Sequence, residues 1–307
     1  MIKKFHEKFG RVIIPLVTPF KDDESVDYEK IQELANWIIS KNYCDSLIVN
    51  GTTGEFYALN FEERENILKA VKEAANGKVP LIAATGFGST IETIKMTKKA
   101  EEIGYDAAMV VVPYYSKTTQ EGIYEHFSEI AKSTALPLVI YNIPLFTGLN
   151  IEPMTVGKLV RNFSNIKAIK EEAGLNATQT SDFVLETLGK DFEVYSGDDT
   201  MTVQVMSQGG VGVVTGGGHV IGDIMKDLVQ QYLSNRNISK ITDLHLKLYK
   251  FFKLLYQNGR VNPIPILKSA VSLHTGIDIG KPRLPLHPAT KEEISVIVKV
   301  LKDINKL

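Results

Sequence analysis

The sequence predicts an α/β chain folded as a (β/α)₈ barrel with a C-terminal helical extension, and three observations carry that prediction. Short apolar, β-branched runs recur about every thirty residues, at 12–17, 45–49, 79–84, 107–112, 138–141, 166–170, 192–196 and 211–214. Their near-continuous apolarity is what a parallel sheet buried on both faces requires. Turn residues and then a stretch of helical period follow each run. No topological switch or Gly-rich dinucleotide loop announces an open doubly wound sheet, so a closed barrel accounts best for the alternation.

The elements follow in order. A helix is expected from near Asp27, with Ile31, Leu34, Ala35 and Ile38 on its apolar face. The next begins after Asn60, which can cap it, with Glu63 at the capping-box position. Ser89-Thr90-Ile91-Glu92 repeats that pattern. From about Asp223 the β pattern stops, and helical segments are expected at 223–234, 239–257 and 289–305. Pro263-Ile264-Pro265 and the proline-rich stretch 282–288 break the run between the last two. The expected organisation is a barrel over 1–222 and a helical region over 223–307 packed on it, without a linker.

A chain of 307 residues suits a barrel with such an extension. Hydrophobic residues at 44% and charged residues at 23% are globular values, so a core fills without disulfides. Cys44, the single cysteine, is expected to be buried, and a reducing compartment fits. Lys and Arg total 35 against 36 Asp and Glu, a balance that argues against nucleic acid as a partner. The basic opening segment lacks the apolar stretch of a secretory signal, and no run approaches the ~20 residues that cross a bilayer. A cytoplasmic protein with no membrane partner is expected.

Barrels of this kind carry their active sites on the loops after the strands. Those loops hold Gly51-Thr52-Thr53-Gly54-Glu55, Pro113-Tyr114-Tyr115, Tyr141-Asn142-Ile143-Pro144, Ile169-Lys170-Glu171, Ser196-Gly197-Asp198-Asp199 and Gly216-Gly217-Gly218. Lys170 shares strand parity with Ile166 and Ala168, whereas Lys167 should face the helix layer. If the side of Lys170 is the barrel interior, desolvation lowers its pKa toward neutrality, and a neutral amine attacks carbonyls to give Schiff bases. The alternative is a solvated lysine at a strand end. Tyr141, Tyr115 and Thr53 offer a hydroxyl relay for the proton transfers of imine and enamine chemistry. The alternative for any single tyrosine is a core aromatic with its hydroxyl tied to backbone. Thr52 and Thr53 can hold a carboxylate with amides and hydroxyls, or form an ordinary turn. Gly216-Gly217-Gly218-His219 lacks the lysine of a phosphate cradle, and the six histidines have no metal-ligand spacing. Asp198-Asp199 reads as a helix cap, so no metal is expected.

Taken together, these motifs resemble the dihydrodipicolinate synthase / N-acetylneuraminate lyase family of pyruvate-dependent class I aldolases. Asn262-Pro263-Ile264-Pro265 and Arg283-Leu284-Pro285 strengthen the likeness, which spans 12–301 with the motifs in matching order. The resemblance implies a (β/α)₈ barrel, a homotetramer of dimers, pyruvate chemistry on a lysine and no cofactor. It matches Lys170 to the Schiff-base lysine and Tyr141 to the proton-shuttling tyrosine. Thr53 matches the threonine linking Tyr141 to a second tyrosine, and Tyr115 matches that tyrosine, contributed across a subunit interface. Thr52 with Thr53 matches the pyruvate carboxylate site. Val214 matches an aliphatic pocket residue, and Gly197 and Phe146 join it as substrate-binding candidates.

The sequence also departs from that family's synthases. Their Ser-Arg-Thr-Gly segment carries an arginine that binds the carboxylate of aspartate semialdehyde, but here the stretch reads Leu145-Phe146-Thr147-Gly148. Phe146 makes no such charge-assisted pair. An apolar residue here resembles the family's aldolases that act on 2-keto-3-deoxy sugar acids, so the first expectation is cleavage of such an acid, for example 2-keto-3-deoxygluconate, to pyruvate and an aldehyde. The second is dihydrodipicolinate synthase activity with another group replacing the arginine. N-acetylneuraminate lyase, a keto-deoxy acid dehydratase and a non-catalytic 2-oxo acid sensor stand behind these. Phe61, Arg64 and Gly88 replace a His, a His and an Asn of the lysine feedback site, so inhibition by lysine is not expected. Glu172-Ala173 stands where the synthases have Ala-Thr.

Overall fold

Eight parallel strands close on themselves in chain order in the computed structural model, which describes residues 4–172, 178–235 and 237–307. They are β1 (Val12–Pro15), β2 (Ser46–Val49), β3 (Leu81–Ala84), β4 (Ala107–Val111), β5 (Leu138–Asn142), β6 (Ile166–Glu171), β7 (Glu193–Ser196) and β8 (Gly212–Val214). The last strand returns to the first through Val12↔Val213 and Ile13↔Val214. The expected barrel is the observed one. Two strands are shorter than expected where proline, which has no N–H to donate, intervenes: β1 ends at Pro15 and β3 starts after Pro80.

The helices are α1 (Phe5–Phe9), α2 (Tyr28–Ser40), α3 (Phe61–Ala75), α4 (Thr90–Ile103), α5 (Gln120–Ser133), α6 (Pro144–Thr147), α7 (Pro153–Asn162), α8 (Gln179–Glu186) and α9 (Thr202–Ser207). The C-terminal region adds α10 (Gly218–Gln230), α11 (Ile238–Leu255), α12 (Ile264–Thr275) and α13 (Lys291–Asp303). Helix α2 buries Ile31, Leu34, Ala35 and Ile38 as its period requires, and Asn60 and Glu63 close the capping box of α3. The same box does not form at α4. The Ser89 side chain caps nothing there, and Glu92 pairs with Lys95 instead of turning back. Pro263-Ile264-Pro265 starts α12 and does not interrupt the helical region. A proline in the first turn removes an N–H that has no intrahelical partner anyway.

The chain divides into two compact units, Met1–Ile13 with Pro80–Val214, and Ile14–Val79 with Thr215–Leu307. In the first, Ala108, Val110, Leu138, Ile140 and Ile169 pack against Ile123 and Phe127 of α5, Val156 and Leu159 of α7, and Phe183 of α8. The β5–β6 register slips by one residue between Leu138↔Ile166 and Val139↔Ala168. Ile166 therefore joins the helix-facing cluster with Ile169, and the expected shared parity of Ile166 with Ala168 and Lys170 fails at this bulge. From Ala168 onward the alternation is regular and puts Lys170 on the face away from those helices. Lys167 reaches Asp191 in an ion pair.

Cys44, in the second unit, is buried, and burial pushes its thiol up to about 12. His219 in that unit bridges the Val17 N–H and the Gly216 carbonyl, while His126 in the first unit meets Thr90 Oγ1. Burial holds both imidazoles down at about 4. Between pH 6.5 and 4 the unfolded chain takes up protons at these positions that the folded chain refuses, so stability falls with pH across that window and levels off below it. The expected loss is on the order of 3 kcal/mol per histidine. Denaturant melts at pH 7 and pH 4 measure it, and equal stability at the two would contradict neutral, buried imidazoles. Among the described residues no helix is long and apolar enough to cross a membrane, and no cluster of His, Cys, Asp and Glu is placed to hold a metal.

Candidate active site

Lys170 stands one residue before the end of β6, in register with Tyr141 of β5 and Tyr195 of β7. It is only 5% exposed. Its Nζ lies 4.0 Å from the centre of the Tyr141 ring and 2.9 Å from Glu172 Oε2. The Tyr141 hydroxyl donates to that same carboxylate oxygen at 2.7 Å. Amine, phenol and carboxylate thus meet at one point beyond the strand ends. The expectation of an amine withdrawn from water holds, and the expectation that Tyr141 is only a core aromatic tied to backbone does not.

Gly197, after β7, makes this meeting possible. A Cβ there would stand 2.8 Å from Glu172 Cβ, 2.9 Å from Lys170 Cε and 3.0 Å from Lys170 Cγ. The lysine stem and the Glu172 Cβ occupy the space any larger residue would need. Behind the site, Glu171 points the other way and accepts from Asn142 Nδ2 and Gln179 Nε2. Asn142 also donates to Asn150, and Asn150 to Gln179. This polar network fixes the ends of β5 and β6 from the helix side, so the site residues in front of it are held on rigid elements. Asp198 caps the short turn that follows, with its carboxylate accepting from the Thr200 N–H.

The remaining candidates in the first unit are placed differently. Val214 is buried at the end of β8. Phe146 sits in α6 immediately after β5 and is 42% exposed, an apolar ring left in contact with solvent. Tyr115 is 97% exposed with φ +72°, so within a single chain its ring joins neither Lys170 nor Tyr141.

Thr52 and Thr53 belong to the second unit, in the 3₁₀ turn Thr52–Gly54 that follows β2. Gly216 lies beside them: a Cβ there would stand 3.8 Å from Thr53 Oγ1. The turn is held from below. Glu55 leaves it in a left-handed conformation, φ +56°, and its fully buried carboxylate accepts from Lys268 Nζ and from the Arg283 N–H, each at 3.0 Å. Lys268 donates further to the Thr18 and Lys281 carbonyls. Burial pushes the Lys268 ammonium down to about 8 and the Glu55 carboxyl up, each opposed by the charge of the other.

Two residues escaped the sequence reading. Glu172 has the parity of Lys170, two residues on, so alternation indicates its face but not its partners. Ala173, its companion in that departure, lies outside the described residues. Lys268 carries no signal in its own helix, because its partner lies 213 residues away in sequence.

A model of the dihydrodipicolinate synthetase family matches residues 8–304. The 4-hydroxy-tetrahydrodipicolinate synthase of Desulforamulus reducens is 40% identical over 299 residues, covering 97% of this chain and 98% of that protein. The synthase of Bacillus subtilis is 41% identical, covering 93% and 96%. Among solved structures, the dihydrodipicolinate synthase of Cyanidioschyzon merolae with lysine bound superposes with a TM-score of 0.92 at 38% identity, over 97% of this chain and 99% of that one.

Proposed function

Because the chain belongs to the dihydrodipicolinate synthetase family of carbon–carbon-bond enzymes, we propose that Lys170 forms an imine with C2 of pyruvate and that the derived enamine condenses with an aldehyde. The observation that carries this is the convergence of Lys170 Nζ and the Tyr141 hydroxyl on one carboxylate. Attack of the amine on the ketone gives a carbinolamine, which loses water to give the iminium. Loss of a proton from C3 yields the enamine, whose carbon attacks the aldehyde, and the new alkoxide is protonated. Tyr141 is placed to carry protons at these steps. The roles of Thr53 in a hydroxyl relay, Thr52 and Thr53 as the carboxylate seat, and Val214 in the pocket wall rest on the family resemblance. So does Tyr115 reaching the site of a neighbouring subunit in a homotetramer, a role its exposure supports.

For the aldehyde, the relatives support aspartate semialdehyde, which reverses the order of the two expectations drawn from the sequence. None of the relatives described above bears the name of a sugar-acid aldolase. The second reading, cleavage of a 2-keto-3-deoxy sugar acid, is favoured by one feature, the half-exposed Phe146 where the resemblance places the arginine. Pyruvate consumption with aspartate semialdehyde and D-glyceraldehyde in parallel assays separates them. Faster turnover with the semialdehyde is the expected result, and faster turnover with glyceraldehyde establishes the second reading instead. A Phe146→Arg variant is expected to raise kcat/KM for the semialdehyde about 10- to 100-fold, the worth of a charge-assisted hydrogen bond. No gain would show that Phe146 does not govern the choice of aldehyde.

A further inference from the structure

Glu172 is placed where an acid–base group for imine formation would stand. Its Oε2 is the atom shared by Lys170 Nζ, 2.9 Å away, and the Tyr141 hydroxyl, 2.7 Å away. An alkylammonium cannot attack a ketone, so before reaction the Lys170 proton must pass to an acceptor, and among the described residues this carboxylate stands within hydrogen-bond distance. The position is also constrained. The Glu172 backbone N–H donates to the Asn142 carbonyl, which fixes the residue at the end of the β5–β6 pair. The Cβ of Glu172 lies over Gly197, where a side chain would force it away. The ordinary alternative is a static ion pair whose carboxylate merely steadies the lysine.

We propose that Glu172 is a catalytic residue of this chain, the general base that deprotonates Lys170 and the general acid that releases water from the carbinolamine. The proposal rests on the reading of Lys170 as the imine-forming lysine. The proton inventory closes. Glu172 takes one proton from the ammonium, leaving a neutral amine that attacks C2 of the 2-oxo acid. One proton passes from the attacking nitrogen to the former carbonyl oxygen, with Tyr141 in reach as carrier. Glu172 then returns its proton to the departing hydroxyl, the C–O bond breaks, and water leaves. An iminium bearing a single N–H remains beside the regenerated carboxylate. Ammonium, carboxylate and ketone thus become iminium, carboxylate and water, with three protons and one positive charge on each side.

The test is single-turnover imine formation with pyruvate, trapped by borohydride and located by peptide mass. It is run on the wild-type protein, Glu172→Gln and Glu172→Ala. Glu172→Gln keeps the size and a hydrogen-bond acceptor but not the base, so trapping is expected to slow about 100-fold with the adduct still on Lys170. Formate is expected to restore part of the rate to Glu172→Ala, because a diffusible carboxylate can replace a missing proton acceptor but not a missing brace. Both variants are compared by circular dichroism. Trapping by Glu172→Gln within about threefold of the wild-type rate, or slow trapping in Glu172→Ala that formate leaves unchanged, overturns the role of Glu172 and leaves Lys170 standing. No adduct on Lys170 in the wild-type protein overturns the Lys170 reading, and this inference with it.

Discussion

Lys170→Met is expected to abolish the borohydride-trapped pyruvate adduct and to lower condensation by at least about 10⁴-fold, with little effect on stability. The chemical reason is that covalent catalysis has no substitute route here: without the amine there is no imine, and C3 of pyruvate loses the electron sink that makes its proton removable. The structural reason for expecting the fold to survive is the environment of the side chain. Glu172, left without its cation, remains partly exposed and keeps the Tyr141 hydroxyl as donor, so no charge is stranded in the interior. Tyr141→Phe is the companion measurement. It should retain the adduct while slowing turnover by about 10²- to 10³-fold, because it removes a proton carrier and not the nucleophile. An adduct that persists in Lys170→Met, located on another lysine, would show that the nucleophile has been misassigned.

Lys268→Met should destabilise the second unit by about 3–5 kcal/mol. It strands the Glu55 carboxylate, fully buried and already pushed up by burial, with the Arg283 N–H as a remaining donor. It also frees the Thr18 and Lys281 carbonyls that the ammonium ties together. Pairing it with Glu55→Gln removes the stranded charge, so the double variant is expected to recover much of the loss. That non-additivity separates a coupled pair from two independent contacts. Urea denaturation of the two single variants and the double variant measures it. A Lys268→Met midpoint close to wild type would mean that water reaches Glu55.

The barrel was legible in the sequence because a parallel sheet covered on both faces leaves an unmistakable pattern of eight apolar runs. Lys170 and Tyr141 were legible because they stand at the ends of two of those runs, where alternation fixes the face each side chain takes. Local signals failed where a second interaction competed with them. Ser89 looks like a cap, but Glu92 is held by Lys95; the prolines at 263 and 265 look like breakers, but they stand where a helix can begin. The bulge at the start of β6 is invisible in composition, since it reverses the face of Ile166 by changing pairing and not residue type.

By itself, the sequence determined the order of the strands, the residues that end them and the departure at Phe146, because each follows from short-range periodicity or from residue identity. Only the tertiary structure decided that Glu172 joins Lys170 and Tyr141, that Glu55 is neutralised by Lys268, and that Tyr115 is exposed within a single chain. The physical reason is the same in each case. The free energy of a charged or hydroxyl group is set by the few atoms within about 3 Å of it. In a closed barrel, those atoms come from neighbouring strands and distant helices, whose meeting no local pattern records.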